Sequence, residues 1–324
     1  MENALRFAVE QAVLAPSSHN TQPWRFRVEG DTVELHADRS RALPVVDPHG
    51  RELVLSCGAA LLNLELAIAH LGREPEVTLF PEPSDPDLLA RVRLGRTRVP
   101  DPADDVLFRE IAQRRTNRRK FLSRDVPEEV TADLRTAAWG DGVRLVAVRE
   151  AATRRALAEL VGEAHLAQFG DGRFRRELAS WVTSNGSTRA DGIPGYALGY
   201  GNLSSRLVPL AVRTLDLGRS QAVKSLRLAR SASVLALVVT DGDQPEDWLA
   251  AGRALQRVLL TASAAGLAVS LMNQPLEVPL MRAEVGRVVG AAGVPQVLLR
   301  VGYAPRTRAT PRRPASEVIV PPRR

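Results

Sequence analysis

Hydrophobic residues recur with two different spacings along this chain, and each spacing predicts a type of secondary structure. Apolar positions three or four residues apart predict helices, whereas strict alternation of apolar and polar positions predicts strands. The segments 74–86, with four prolines, and 101–105 interrupt these patterns. The prediction for the first third is a helix over 1–15, strands at 24–28 and 32–37, a long buried helix opened by Asp47-Pro48 and closed by Gly72, and one or two short strands such as 89–94.

The remaining two thirds of the chain repeat this mixture of helices and strands. Residues 171–205 are rich in Gly, Ser and Asn and hold the isolated aromatics Trp181, Tyr196 and Tyr200, so we predict a lid outside the core. The other predicted elements are helices over 106–115, 151–169 and 248–265, and strands at 143–148, 233–240, 267–272 and 296–301.

One short pattern occurs in both long helices and suggests an internal duplication. Gly58-Ala59-Ala60-Leu61 and Gly252-Arg253-Ala254-Leu255 each precede ten further helical residues and a closing glycine. A single similarity of this length is suggestive only, because Gly and Ala recur on packed helices.

Composition is that of a soluble globular protein with one large or two modest domains. The chain has 324 residues, 44% of them hydrophobic, and its longest largely apolar run, 258–272, is too short to span a bilayer. No secretory signal is visible at the start, so we expect a cytoplasmic protein without a membrane partner. Cys57 is the single cysteine; an internal disulfide is excluded, and we expect a buried small residue there.

The net charge of +7 comes almost wholly from arginine. Because the arginines are spread along the chain and aromatic residues make up only 4%, we expect no nucleic-acid partner. Two dense basic clusters stand out, at 114–120 and 306–313.

Familiar catalytic patterns are missing from the sequence. It contains no GxxxxGK[ST], no GxSxG and no GxGxxG after a strand. Its five histidines never pair at metal-ligand spacing, so we predict no metal site. No side chain is singled out as a catalytic acid, base or nucleophile.

Four polar segments are the candidates for ligand binding. The loop from Pro16 to Trp24 offers short hydrogen-bonding groups to a flat polar ligand, although an ordinary Ser/Asn turn explains it as well. The guanidinium groups near 114–118 suit a phosphate monoester, but a basic helix end is often only a solvated face. The candidate residues are Pro16, Ser17, Ser18 and Asn20 in the loop, Arg114, Thr116 and Arg118 before Phe121, Asn273 and Gln274 after the strand 267–272, and Arg312 and Arg313 between two prolines.

Together these segments resemble the nitroreductase superfamily, most closely its Acg-type branch, in which two nitroreductase-like halves in one chain imitate the usual homodimer. The resemblance implies an α+β, nitroreductase-like fold with a shortened half over 1–105 and a fuller half over 106–324. It also implies FMN as cofactor, with Arg114, Thr116 and Arg118 at its phosphate and the polar edge of the flavin, and Arg312 and Arg313 at the phosphate. Pro16, Ser17, Ser18 and Asn20 match the loop that a partner subunit presents to the flavin, and Asn273 and Gln274 fall where backbone amides meet N5.

Each half lacks the motif that the other keeps. Residues 1–15 contain no Arg-x-Ser-x-Arg motif, and residues 136–140 stand where the second half should have its serine-asparagine loop. We therefore predict one FMN per chain, for which a monomer suffices. The expected function is electron transfer from NAD(P)H through flavin to a nitroaromatic, quinone or similar flat acceptor. FMN storage beneath a closed lid is the alternative, and a flavin-free arginine-rich scaffold is a third hypothesis.

Overall fold

Two separate β-sheets, each with helices packed on it, form the α+β fold of this chain, for which a computed structural model describes residues 2–321. The helices are α1 (Glu2–Ala12), α2 (Arg51–His70), α3 (Pro102–Ile111), α4 (Glu128–Ala138), α5 (Ala151–Gly170), α6 (Gly172–Trp181), α7 (Asn202–Ser205), α8 (Val208–Thr214), α9 (Gly218–Arg230), α10 (Pro245–Ala264), α11 (Pro279–Val289) and α12 (Ala315–Val318). The strands are β1 (Trp24–Glu29), β2 (Thr32–Ala37), β3 (Arg73–Leu79), β4 (Leu88–Thr97), β5 (Val143–Val148), β6 (Val182–Thr183), β7 (Ile193–Pro194), β8 (Val234–Thr240), β9 (Ala268–Leu271), β10 (Val294–Gly302) and β11 (Ile319–Val320).

The first sheet has the strand order β11-β1-β2-β4-β3 and packs against α1 and α2. Strands β1 and β2 form the predicted hairpin, and Gly30 supplies the positive φ of +60° that its turn requires. The short strand β11 comes from the far end of the chain and pairs in parallel with β1. Residues close to the C-terminus are thereby brought back to the beginning of the chain.

The second sheet has the order β5-β8-β10-β9 and is antiparallel throughout. Strand β8 is buried along its whole length because helices cover both faces of this sheet. Helices α4 and α10 pack on one face, and α5, α9 and α11 pack on the other. This sheet brings the end of β9, with Asn273 just beyond it, towards the centre of the molecule.

Helices α2 and α10 cross at Gly58 and Gly252, the first glycines of the pattern that occurs in both long helices. A Cβ added to Gly58 would lie 2.2 Å from the Leu249 carbonyl oxygen, and one added to Gly252 would lie 2.1 Å from that of Leu55. Only glycine permits so close an approach of the two backbones. The repeated glycine therefore has a packing reason, while the duplication and the division at residue 105 stay predictions.

Helix α2 has the length and hydropathy of a membrane span, but its surroundings are those of a core helix. Its most apolar window is 94% buried inside the protein. The buried side chains cover all sides of the helix, including Cys57, as predicted for that residue.

Several elements differ from the sequence prediction. Strand β3 lies in the proline-rich segment 74–86; Pro75 is tolerated because β3 is an edge strand. Helix α3 begins earlier than predicted, since the Asp101 side chain accepts a hydrogen bond from the Ala103 amide and Pro102 occupies the first turn. The helices that the pattern did not predict are α4, α6, α7, α8, α9, α11 and the short α12.

Candidate functional site

A cavity of about 640 Å³ lies where four distant segments of the chain meet. The segments are the loop after α1, the stretch after α3, the residues after β7 and the approach to α12. Seven of the eleven candidate residues line it: Pro16, Ser17, Asn20, Arg114, Thr116, Arg118 and Arg312. The structure thus brings the serine-asparagine loop and the arginine motif to one cavity.

Arg114 is the most unusual group in this cavity. Its side chain is buried, with the residue 5% exposed, and its Nε and Nη1 find no acceptor among residues 2–321. Burial, together with the nearby charges of Arg312 and Arg115, lowers the pKa of Arg114 to about 9. A buried guanidinium without an acceptor is costly, so the site is suited to an anion that would complete its hydrogen bonds.

Other arginines lie near Arg114, and no acidic side chain among the described residues of the cavity neutralises them. Burial lowers the pKa of Arg118, and burial with the charge of Arg115 lowers that of Arg312 to about 10. Arg312 donates to Asn20 Oδ1 at 2.9 Å and to the Ala15 carbonyl oxygen at 3.2 Å. Within the described chain, neither Arg118 nor Arg312 forms an ion pair, and no Asp or Glu lines this cavity. We call it the cationic cavity.

The arginine motif is held extended by the edge of the second sheet. Thr116 forms a parallel bridge with Val269 of β9, and the Asn117 amide donates to the Val269 carbonyl oxygen at 2.9 Å. Arg300 of β10 donates to the backbone carbonyls of Asn117 and Arg119 at 3.0 and 2.7 Å. Side chains at alternate positions of this extended stretch can therefore reach the same cavity.

The serine-asparagine loop has a strained backbone. His19, Asn20 and Gln22 have φ values of 50°, 56° and 53°, a conformation that residues other than glycine seldom adopt. Ser17 Oγ accepts from the Gln22 amide at 2.9 Å, and Asn20 Nδ2 donates to the Gly192 carbonyl oxygen at 2.9 Å. The loop is therefore shaped by contacts to the lid, which an ordinary turn would not need.

A second cavity of about 280 Å³ adjoins the first, and Pro16, Ser17, Thr116 and Arg118 line both. The other candidate residues that line this second cavity are Ser18, Asn273 and Gln274. Because it also contains buried carboxyl groups, we call it the carboxyl cavity.

Glu52 connects the two predicted loops across the carboxyl cavity. Ser18 Oγ donates to one of its carboxylate oxygens, and Asn273 Nδ2 donates to the other at 3.0 Å. Asn273 Oδ1 in turn accepts from the Leu298 amide of β10 at 3.1 Å. Glu52 was not among the predicted site residues, although a charged Arg51-Glu52 pair opening an otherwise apolar helix was a usable signal.

Glu277 is the second carboxyl group of this cavity, and it too was missed. Its burial, reinforced by the negative charge of Glu52, raises the pKa of Glu277 to about 8. Gln168 Nε2 donates to Glu277 Oε2 at 2.5 Å. Burial lowers the pKa values of His19 and His165, which line the same cavity, to about 4. At neutral pH, Glu277 therefore holds a proton and both imidazoles are uncharged.

The lid segment 171–205 lies against the first part of the chain. Gln22 Nε2 donates to the Ala190 carbonyl oxygen at 2.8 Å, and Asp191 pairs with Arg41. Tyr196 lines the cationic cavity, and its hydroxyl donates to the Ala309 carbonyl oxygen at 2.6 Å. Trp181 does not line either cavity; the guanidinium carbons of Arg41 and Arg189 lie 5.4 and 5.7 Å from the centroid of its ring.

Arg313 is the one candidate residue that lines neither cavity. Its amide donates to Gln22 Oε1 at 2.8 Å, and its Nη2 donates to the Glu317 carbonyl oxygen at 3.0 Å. The structure thus separates Arg313 from Arg312, because successive residues of an extended chain point in opposite directions.

Comparisons with known proteins show the family of this chain. The model of the nitroreductase family matches residues 111–303. A Mycobacterium tuberculosis H37Rv protein, provisionally named NAD(P)H nitroreductase Rv3131, is 38% identical over 97% of this chain and 90% of its own length. The provisional NAD(P)H nitroreductase acg of the same strain is 31% identical over 98% of this chain and 95% of its own. The chain belongs to the nitroreductase family.

One solved structure with a similar fold is the FMN-dependent nitroreductase NfnB from Mycobacterium smegmatis in complex with NADPH. It is 21% identical, and the match covers 68% of this chain and 94% of that chain with a TM-score of 0.41.

Proposed function

We propose that this chain binds one FMN across the two cavities and passes electrons from NAD(P)H to a small flat acceptor such as a nitroaromatic or a quinone. The observation that carries the proposal is the buried guanidinium of Arg114, which opens on the cationic cavity without an acceptor. A phosphate monoester supplies the charge and the acceptor oxygens that this group needs. The names of the relatives Rv3131 and acg support the same class of reaction.

The donors of the cationic cavity fit the phosphate end of FMN. Arg114, Arg118 and Arg312 would hold the phosphate and the nearby polar edge, with the Thr116 hydroxyl as a further donor. Because the carboxyl cavity adjoins it, a flavin ring extending there would meet Ser18 and Asn273, which Glu52 orients.

The chemistry that FMN supplies when bound is two-electron transfer between a nicotinamide and an acceptor. This chain's own groups bind, orient and exclude water. Glu277 also holds a proton on its carboxyl group at neutral pH, beside the cavity in which the acceptor would be reduced. That places a proton donor at the site without a histidine in the role.

FMN storage is the second candidate function, and the position of the lid favours it. The lid is fastened to the loop through Asn20 and Gln22 and to the C-terminal segment through Tyr196. A lid that stays closed would keep a nicotinamide away from the flavin, whereas a lid that opens would act as a gate.

We expect the purified protein, loaded with FMN and mixed anaerobically with NADH or NADPH, to lose its flavin absorbance near ~450 nm, because the cofactor is then reduced. Dithionite provides the control, since it reduces the flavin without a nicotinamide site. Bleaching by a nicotinamide supports the oxidoreductase. A band that only dithionite bleaches supports storage, and protein that takes up no FMN contradicts both functions.

A further inference from the structure

The helical segment 202–214, made of α7 and α8, begins at the end of the lid and carries leucines that face solvent. Ser205, Val208 and Val212 point inward and are buried. On the opposite side, Leu203, Leu207 and Leu210 are 80%, 66% and 61% exposed. These three positions are spaced i, i+4 and i+7, so they form one apolar stripe along the segment, here called the leucine face.

Five exposed large apolar side chains fall within residues 203–223, more than in any other stretch of that length in the described chain. Besides the leucine face, they include Leu215 and Val223, which are 54% and 51% exposed. Other strongly exposed apolar residues, such as Val99, Trp139 and Leu280, are scattered over distant elements. Single exposed leucines need no explanation, but a grouped set usually marks a binding surface.

Positive charge surrounds the leucine face. Residues 199–230 contain six basic side chains and one acidic side chain, Asp216. Arg206, Arg213 and Arg219 are exposed, and none of them forms an ion pair within residues 2–321. Among the basic residues of 199–230, Arg230 is paired: its Nη2 lies 3.7 Å from a Glu159 carboxylate oxygen. An occupant of this surface must therefore be apolar in its interior and negatively charged at its boundary.

From this combination we propose that the leucine face docks on an anionic phospholipid surface, with Leu203, Leu207 and Leu210 in the acyl boundary and the arginines at the headgroups. Interfacial helices combine these two features. A protein partner is less well matched, because protein interfaces favour aromatic anchors in pockets, and this face presents protruding leucines without aromatics. The proposal concerns peripheral attachment, which needs no spanning helix, and it differs from the expectation that no membrane takes part.

Attachment at this face would hold the C-terminal end of the lid against the bilayer. Elsewhere in the lid, Ile193 and residues 196–199 line the cationic cavity. The inference depends only on the outer surface, so it stands or falls separately from FMN binding.

Flotation with lipid vesicles tests the proposal. We expect the wild-type protein to float with vesicles of phosphatidylglycerol and phosphatidylcholine, to stay behind with phosphatidylcholine alone, and to be released by high salt. The combined variant Leu203→Ser, Leu207→Ser, Leu210→Ser should partition at least ~10-fold more weakly. The combined variant Arg206→Gln, Arg213→Gln, Arg219→Gln should lose about five-fold per arginine.

Matched controls come from exposed residues elsewhere. Leu280→Ser and Arg287→Gln on α11 should leave partitioning unchanged, and circular dichroism should be native for every variant because all replaced side chains are exposed. Wild-type protein that ignores anionic vesicles overturns the proposal, as do serine variants that bind normally. Sedimentation velocity tests whether a second copy of this chain occupies the leucine face instead. A wild-type protein that is a dimer, together with a serine variant that is a monomer, would assign the face to that second copy and overturn the proposal.

Discussion

Replacing Arg114 with methionine is expected to have two opposite effects, weakening FMN binding and stabilising the flavin-free protein. A hydrogen bond to a charged group contributes about 1.5 to 3 kcal/mol, so affinity should fall roughly 10- to 150-fold. Without flavin, the same guanidinium is a buried charge with two unsatisfied N–H groups. An apolar side chain of similar length removes that cost and should stabilise the protein by on the order of 1 to 4 kcal/mol.

Thermal unfolding of flavin-free protein and fluorescence titration with FMN measure the two effects. Arg282→Met is a matched control, because Arg282 is also largely buried but donates to both carboxylate oxygens of Asp243. Its loss should destabilise the protein and leave FMN affinity unchanged, since Arg282 lines neither cavity. A flavin-free Arg114→Met protein that is less stable than wild type, or FMN bound at wild-type affinity, would refute our account of the site.

The sequence predicts those residues of the cavity that belong to short local patterns. Two of its segments can be recognised because polar, conformationally restricted residues stand beside apolar alternation. They are the loop from Pro16 to Trp24 and the motif at Arg114 to Arg118. The end of β9 could be located because a buried apolar strand is easily recognised, and ligands gather where such strands end. These segments meet in the structure although up to about three hundred residues separate them along the chain.

Local sequence patterns could not reveal side chains whose role depends on residues that are distant in the sequence. Glu52 begins a long helix, and by pattern it is only an acidic residue in a first turn, where it favours the helix dipole. Its part in joining Ser18 to Asn273 requires α2 to point at the end of β9. The pairing of Phe26 with Ile319 is equally invisible, because a two-residue strand carries no periodicity.

The two cavities differ in charge, and this difference gives the site a direction. The larger one is lined by arginines and lysines without carboxyl groups, whereas Glu52 and Glu277 lie in the smaller one. A ligand with an anionic tail and a neutral hydrogen-bonding ring can enter in only one orientation. Arg118 lines both cavities, so a single side chain can contact both parts of such a ligand.

Glu277→Gln is expected to abolish a loss of stability that the wild-type protein suffers between about pH 5 and pH 8. Burial beside Glu52 raises the pKa of Glu277 to about 8 in the folded protein, whereas the unfolded chain releases this proton near its ordinary value of 4.5. Between these values the folded state binds more protons than the unfolded state, so wild-type stability falls as pH rises. Glutamine imitates the protonated acid and has no charge to bury.

The variant and the wild type should therefore be equally stable at pH 5, and the variant should be more stable at pH 9 by about 2 to 4 kcal/mol, since each pKa unit corresponds to about 1.4 kcal/mol. Urea unfolding at several pH values measures the difference. Glu163→Gln, an exposed carboxyl on the same helix as Gln168, is the control and should show no such divergence. Parallel pH profiles for wild type and Glu277→Gln would mean that Glu277 is ionised at neutral pH, and the carboxyl cavity would then hold two negative charges and no proton to donate.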